Sequence, residues 1–252
     1  MIIESFMFSI KKATQYRANV ISWILADISL YLATFLTYYF LMLSVDTIGD
    51  YYNFEILLYI SSFLLVNNIF AVLFSDATSE FLNSILNGRL YILMLRPRHI
   101  IANSILSNFN LPPLITTPFL VVSNIFIINL TGAYFSFIYV AIIISGAITM
   151  GLIYFLVFSL ALRGFRINLI ASILFQVIQI SERPDTVFPN RIRNIFIYVI
   201  PIFLFSAIPT RFLLGRVTNY EIVWALIAPV ILFVLLQISI FQGFKKYKEG
   251  TV

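Results

Sequence analysis

Residues 20–43 read VISWILADISLYLATFLTYYFLML, an apolar stretch in which Asp27 is the one charged residue. A helix of about 20 apolar residues is long enough to cross the hydrocarbon core of a bilayer. The stretch is too long for the hydrophobic region of a cleavable signal peptide, and it lacks an obvious small-residue cleavage site. We therefore expect a first membrane span at residues 20–44.

The whole chain shares this apolar character. Of its 252 residues, 61% are apolar and 11% are charged, and the mean hydropathy is +0.98. These values lie outside the range of soluble domains and predict an integral membrane protein with room for about six helical spans. The absence of cysteine excludes a disulfide scaffold, a thiolate metal site and a cysteine nucleophile. We expect an all-α protein in which residues 1–252 form a single transmembrane domain.

Five further apolar segments are predicted to cross the membrane. They are residues 55–74, 100–130, 133–162, 164–182 and 221–243. The segment at 100–130 contains Pro112, Pro113 and Pro118, which predict a kink or a break. The segment at 164–182 is only just long enough to cross.

The N-terminal segment is predicted to be a helix lying in the membrane interface. Ile3, Phe6, Met7 and Ile10 share one helical face, with polar side chains on another. A frayed polar N-terminus is the alternative.

Residues 183–217 contain an apolar run, IFIYVIPIFLFSAI, that is too short to cross comfortably. If this run does not cross, the chain has six spans, and most lysines and arginines fall on the same side as both termini. Five arginines, all within residues 183–216, then lie outside. The positive-inside rule favours this topology, with cytoplasmic termini. We therefore expect a re-entrant hairpin between spans five and six, and Pro201 and Pro209 suit its broken backbone.

Residues 76–99, DATSEFLNSILNGRLYILMLRPRH, follow the second span and are predicted to be cytoplasmic. Asp76 and Ser79 are candidate N-caps, after which apolar residues recur at helical spacing until Gly88 interrupts them. This pattern predicts a short amphipathic helix outside the bilayer core. Such a helix either lies on anionic lipid or docks into a groove on a soluble partner, and the pattern alone favours neither.

Asp27 has two interpretations. A carboxylate inside a membrane span is costly, and it marks a proton or ion site when it is functional. Alternatively, Asp27 pairs with a basic residue near the cytoplasmic surface, such as Arg17. Other polar residues within the spans are expected to join helices rather than bind substrate. They are Asn67, Asn68, Asn124, Gln176, Gln179 and Gln237.

Known catalytic motifs are missing from the sequence. The chain has no His-Glu-x-x-His, no Gly-x-Ser-x-Gly and no paired intramembrane aspartates. It also has no P-loop, so any ATPase must be another polypeptide. His99 has no second ligand at helical spacing, and we predict no metal site. A secondary transporter using Asp27 and a nonconducting anchoring subunit are therefore both open interpretations.

Two motifs carry a resemblance to a known family. The first consists of Gly88, Leu90, Leu93, Leu95, Arg96 and Pro97. The second consists of Phe188, Pro189, Ile192, Arg193, Ile200, Pro201, Pro209, Leu213, Leu214 and Gly215. In order, spacing and topology over most of its length, the chain resembles the ABC-2 type permease family, in its small six-span branch. One departure is Phe188, where the family has tyrosine.

This resemblance implies a permease subunit that carries no ATPase site and binds no cofactor, with ATP and Mg on a dimer of separate ABC ATPase subunits. A second permease chain, identical or related, would complete the channel. The implied setting is a bacterial or archaeal cytoplasmic membrane, and the implied activity is export of a hydrophobic or amphipathic substrate, with no role for nucleic acid. Alternatively, an ion- or proton-coupled secondary transporter would use Asp27.

The resemblance also assigns site residues. A helix between spans two and three would couple the permease to the ATPase through Glu80, Phe81, Ile85, Leu86, Gly88, Arg89, Leu90, Arg96 and Pro97. The re-entrant motif would include Pro189, Arg193, Pro201 and Pro209.

Overall fold

The computed structural model describes residues 17–45, 47–89, 100–108, 110–165 and 167–249. The predicted interfacial helix before residue 17 and residues 90–99 of the coupling segment lie outside this part of the chain. The main helices are α1 (Arg17–Ser44), α2 (Asn53–Phe70), α3 (Asp76–Leu86), α4 (Ile100–Ser107), α5 (Leu111–Thr131), α6 (Phe137–Ser159), α7 (Ile167–Gln179), α8 (Asn190–Tyr198), α9 (Ala207–Leu213) and α10 (Asn219–Glu249).

Short elements join these helices. Strands β1 (Thr47–Ile48) and β2 (Tyr51–Tyr52) form an antiparallel hairpin between α1 and α2. A π-helical turn, Ala71–Ser75, links α2 to α3. The 3-10 turns are Leu160–Arg163, Ile180–Glu182, Asp185–Val187 and Ile202–Phe205. With helices this dominant, the predicted all-α class is confirmed.

Within the described residues, five helices are long and apolar enough to cross a membrane. They are Ala18–Ser44, Asn53–Leu86, Leu111–Thr131, Phe137–Arg163 and Asn219–Lys245. They overlap five of the six predicted spans. The protein is thus an integral membrane protein.

The segment predicted as span five is a shorter apolar helix, Leu169–Glu182. It nevertheless joins the two ends of the bundle. Just before it, the Arg163 side chain donates to Gln242 Oε1 at 2.8 Å, near the end of α10. At its other end, the Tyr38 hydroxyl donates to the Glu182 carbonyl at 3.0 Å, near the end of α1. We call the end that holds residues 86–89, 160–165 and 242–249 the coupling end. The end that holds residues 47–52, 132–136 and 183–218 is the loop end.

The helix of the second span continues beyond residue 74, where it was predicted to end. Residues 53–86 form one continuous helical run, in which Asp76 and Ser79 lie inside the helix rather than at its start. The backbone stays helical through the π turn, with Ser75 at φ −60° and ψ −52°. The predicted start of a separate helix at Asp76 is therefore wrong. The segment 100–130 does break, as its prolines predict, between Ser107 and Leu111. Pro112 then occupies the first turn of α5, where no N–H is needed.

Helix α6 lies at the centre of the bundle, packed against α2 and α10. Two glycines allow its close contacts. A Cβ at Gly146 would lie 2.9 Å from the carbonyl oxygen of Leu204, and a Cβ at Gly151 would lie 2.5 Å from the Phe74 ring. Both glycines are therefore close-packing points of α6.

Buried polar side chains join the helices in the way the sequence predicts. The amide of Asn68 donates to the Tyr31 hydroxyl of α1 and to Thr116 Oγ1 of α5, both at 3.1 Å. Asn124 of α5 accepts from the Tyr139 hydroxyl of α6 at 3.0 Å. These bonds satisfy polar groups inside the bundle, so Asn68 and Asn124 are helix-to-helix contacts.

Candidate functional site

The coupling end carries a well-defined helix terminus. After Leu86, the chain turns at Gly88, whose φ is +65°. The Arg89 N–H donates to the Ser84 carbonyl at 2.8 Å, and the Gly88 N–H donates to the Ile85 carbonyl at 3.2 Å. This pair of bonds is a Schellman motif, which needs a left-handed residue after the helix. Gly88 therefore ends the helix, as the sequence predicts.

The predicted coupling residues divide by exposure. Glu80, Gly88 and Arg89 are exposed, and the Leu86 side chain is 59% exposed although it is apolar. These residues present an accessible surface at the coupling end. Leu90, Arg96 and Pro97 lie outside the described residues.

Phe81 and Ile85 face the opposite way, into the bundle. Phe81 is fully buried and meets the Phe155 ring of α6 edge to face, with ring centroids 5.4 Å apart. Ile85 belongs to the same core. Their side chains pack inside this chain rather than at the accessible surface, and their role in coupling to the ATPase stays a prediction. They fix the position of α3 against α6.

The residue just before α5 contacts the π turn that precedes α3. The π turn interrupts the α-helical pattern and frees backbone acceptors. The N–H of Asn110, just before α5, donates to the Val72 carbonyl at 3.2 Å. The Asn110 side-chain amide also lies 3.4 Å from both Ser75 Oγ and Asp76 Oδ1. These contacts hold the start of α5 against the π turn.

The loop end holds a buried ion cluster. The guanidinium of Arg211 lies between two carboxylates, 3.3 Å from Asp185 Oδ2 and in a short hydrogen bond with Glu221 Oε1. Asp185 is completely buried, and Glu221 nearly so. The hydroxyl of Tyr51 donates to Asp185 Oδ1 at 2.8 Å. We call Tyr51, Asp185, Arg211 and Glu221 the ion cluster.

Tyr51 keeps its proton in this environment. Burial raises the pKa of the Tyr51 hydroxyl well above its ordinary value, and the Asp185 carboxylate raises it further. At neutral pH the phenol is therefore neutral and acts as a hydrogen-bond donor to Asp185.

Each of two glutamates at the loop end caps the start of a helix and also binds an arginine. Glu221 Oε2 accepts from the Thr218 N–H at 2.8 Å, which makes a capping box at the start of α10. Glu55 accepts in the same way from the Tyr52 N–H at 3.1 Å, at the start of α2. Arg216 then binds Glu55 through two bonds of 2.7 and 2.9 Å.

The predicted hairpin, residues 183–217, contains α8, the 3-10 turn Ile202–Phe205 and α9. Pro201 has φ −72° and ψ 58°, and the Ile202 N–H donates to the Ile200 carbonyl, which together make an inverse γ-turn. Leu204 reaches Gly146, nine residues beyond the start of α6, which is a depth of roughly 14 Å at the helical rise.

The four residues of the re-entrant motif have different surroundings. Pro201 and Pro209 are buried in the hairpin, whereas Pro189 is exposed. Arg193 is half-buried, and its N–H donates to the Pro189 carbonyl at 3.0 Å in the first turn of α8.

The comparison with known proteins decides the family. The sequence model for ABC-2 family transporter protein matches residues 28–250, which is most of the chain. The chain belongs to the ABC-2 transporter family. No curated protein and no solved structure matches it. As an ABC-2 permease, the chain is a membrane component of an ABC transporter, a class that associates with ABC ATPase subunits.

In this ABC-2 permease, Asp27 is half-buried on α1. Arg17, its predicted partner, has a side chain outside the described set. Among the described side chains, no cation forms an ion pair with Asp27. Its pairing therefore stays a prediction.

Sequence reasoning missed the ion cluster of the permease. Its members come from four separate parts of the chain, and no motif links them. One signal was available, because Thr218 and Glu221 form a Thr-x-x-Glu capping box ahead of an apolar run. That pattern predicts the start of α10, but it does not predict that Glu221 also binds Arg211.

Proposed function

We propose that this chain is the permease of an ATP-driven exporter, with separate ABC ATPase subunits supplying the energy. It works in a bacterial or archaeal cytoplasmic membrane, with the coupling end and both termini in the cytoplasm. The positive-inside rule supports this orientation, because the arginine-rich segment 89–98 and the lysines at 245–248 then lie inside. ATP and Mg bind the partner subunits, since the chain has no P-loop.

One observation carries the proposal. Residues 53–86 form a continuous helical run that begins at the loop end and finishes at the exposed turn around Gly88. A partner that moves this turn would therefore also move a helical run that extends from the coupling end to the loop end. The Phe81–Phe155 contact connects the part of this helical run nearest the coupling end to α6.

The proposed mechanism divides the coupling residues into two groups. Glu80, Leu86 and Arg89 contact the ATPase, together with Leu90, Arg96 and Pro97. Phe81 and Ile85 pass the movement on to α6 because they are fixed in the core. When ATP brings the two ATPase subunits together, the coupling segments of two permease chains, identical or related, approach each other.

The proposed cargo is hydrophobic or amphipathic. Polar side chains between α2, α5 and α6 bond one another, as Asn124 does with Ser61 and Tyr139. The helix surfaces left open are apolar, most of all on α1, where Trp23, Leu30 and Phe40 are exposed. Surfaces of this kind contact lipid or a lipid-like cargo more readily than a charged solute.

Purification tests this proposal. The tagged chain is extracted from its native membrane in mild detergent, its companions are identified, and ATP hydrolysis is measured. We expect a stoichiometric P-loop ATPase and vanadate-sensitive hydrolysis. A chain that is recovered alone and inactive after gentle extraction contradicts the proposal.

Ion- or proton-coupled transport through Asp27 is the second candidate function. It is favoured by the lack of an ion pair to Asp27 among the described side chains. An Asp27→Asn variant distinguishes the two candidates. A secondary transporter loses its proton dependence, whereas an ABC permease keeps its ATPase partner and its vanadate-sensitive hydrolysis.

A further inference from the structure

The two ends of the re-entrant hairpin are fastened to the rest of the bundle by polar contacts. At its entry, Thr186 Oγ1 accepts from the Asp50 N–H at 3.0 Å, next to the Tyr51–Asp185 bond. At its exit, Arg211 binds Glu221, and Arg216 binds Glu55. Hydrogen bonds and charges therefore fasten both ends of the hairpin, beside the apolar contacts that Phe188 and Val217 make with the core.

The tip of the hairpin is held differently. Ile202, Phe203, Leu204 and Phe205 are completely buried and belong to the apolar core. Phe203 also lies against Phe188, with ring centroids 5.8 Å apart. The hairpin thus has an apolar tip inside the bundle and a polar base at the loop end.

A buried ion cluster is a poor source of stability. Removing charges from water offsets much of their attraction, and well-packed apolar residues often stabilise a site better. The ion cluster also holds one guanidinium against two carboxylates, so its charges do not balance. A recognised use of such a cluster is to fix one arrangement of the segments that it joins.

The contact between Gly49 and Thr186 is so close that any separation of the two segments breaks it. Gly49 has a φ of +63°, and a Cβ on it would lie 2.1 Å from Thr186 Oγ1 and 3.1 Å from Thr186 Cβ. The β-hairpin and the re-entrant segment thus touch at this point. If the hairpin lifts away from the loop, this contact must open.

We propose that the ion cluster, together with the Gly49–Thr186 contact, is a latch that holds the re-entrant hairpin in the bundle and opens in each transport cycle. Only the opening step rests on the proposed ATP-driven function. The holding step concerns this chain alone. When the latch opens, water replaces its polar contacts, and the hairpin is free to move relative to α6.

A reversible disulfide tests the opening step. The chain has no cysteine, so a Gly49→Cys/Thr186→Cys variant contains a single thiol pair. The Cβ separation at this site is shorter than that of an ordinary disulfide, so the two segments must shift by a few tenths of an ångström. A cysteine at position 49 also adopts a strained left-handed backbone, and the Gly49→Cys single variant controls for that strain. The variant is purified with its ATPase, reconstituted in lipid, and assayed in oxidised and reduced forms. Each single-cysteine variant is the matched control.

We expect oxidation to lower ATP hydrolysis at least about fivefold and a reductant to restore it. The single-cysteine controls should not respond to oxidation. Equal rates for the oxidised and reduced double variant, with the disulfide verified, would overturn the opening step.

The holding step is tested without the ATPase. Ala207 is completely buried at the start of α9, so an Ala207→Cys chain should resist a water-soluble maleimide. Adding Tyr51→Phe and Asp185→Ala removes one side of the latch but leaves the Arg211–Glu221 pair neutral. We expect labelling of position 207 to speed up at least about fivefold. Unchanged labelling in a folded variant overturns the latch. Failure of the proposed function would instead appear as a missing ATPase.

Discussion

The hydroxyl of Ser145 on α6 donates its hydrogen bond to the carbonyl of Ala225 on α10. Pro229 lies four residues after Ala225, inside the same helix, and has no N–H to offer that carbonyl. Ser145 therefore supplies the donor that the proline lacks. In a membrane protein this matters because the bilayer core offers no water to bond a free carbonyl.

A double-mutant cycle tests this relationship. We expect Ser145→Ala to destabilise the bundle by about 1 to 2 kcal/mol, because the Ala225 carbonyl is left without a donor. In a Pro229→Ala background, the new N–H at 229 satisfies that carbonyl, so the loss should largely vanish. Unfolding in SDS mixtures measures both values. Equal losses in the two backgrounds would show that the bond does not compensate for the proline.

Introducing acidic residues at the exposed coupling surface should prevent the ATPase from binding. A Leu86→Asp/Leu90→Asp variant removes apolar anchors without removing a buried side chain of the described bundle, since Leu86 is exposed. We expect it to insert and fold normally but to lose its ATPase on affinity purification. Retention of both the partner and its activity would count against the docking assignment.

Truncating Phe81 should reduce the stability of the bundle, unlike the substitutions at Leu86 and Leu90. Phe81 is completely buried against Phe155, so Phe81→Ala should reduce stability by about 3 to 5 kcal/mol through the cavity that it leaves. A thermal melt in detergent measures this loss. Comparison with Leu86→Asp separates core packing from docking. A Phe81→Ala protein with an unchanged melting temperature would place this side chain outside the core.

The two loop-end arginines should differ strongly in their contribution to stability. The Arg211 side chain is 11% exposed, whereas that of Arg216 is 41% exposed. Arg211→Ala leaves Asp185 and Glu221 without their cation and should cost about 3 to 5 kcal/mol. Arg216→Ala breaks a solvent-screened pair and should cost about 1 kcal/mol or less. The same SDS titration compares them, and similar losses would contradict the burial of the ion cluster.

The long helices of this fold were readable from the sequence because a membrane span needs an apolar run of fixed length. The end of α3 at Gly88 was also readable, since a left-handed turn favours glycine. The start of a separate helix at Asp76 was not correctly predicted. A polar residue after an apolar run suggests a cap, but the π turn carries the helix past it.

The orientation of α3 shows a second limit of sequence patterns. Helical spacing shows that Phe81 and Ile85 share an apolar face, but it does not reveal what covers that face. Here the cover is α6 of the same chain. The ion cluster was missed for a related reason, because Asp185 and Arg211 meet only after the hairpin folds back on itself.

A site-specific cross-link tests the central claim most directly. Because the chain has no cysteine, Leu86→Cys carries one thiol at the coupling end, which is labelled with a photoreactive maleimide in native membranes. Tyr134→Cys, at the loop end and 91% exposed, is the matched control. We predict that light joins position 86, and not position 134, to a P-loop ATPase identified by mass spectrometry. An ATPase adduct from position 134 alone, or from neither position, would contradict the account.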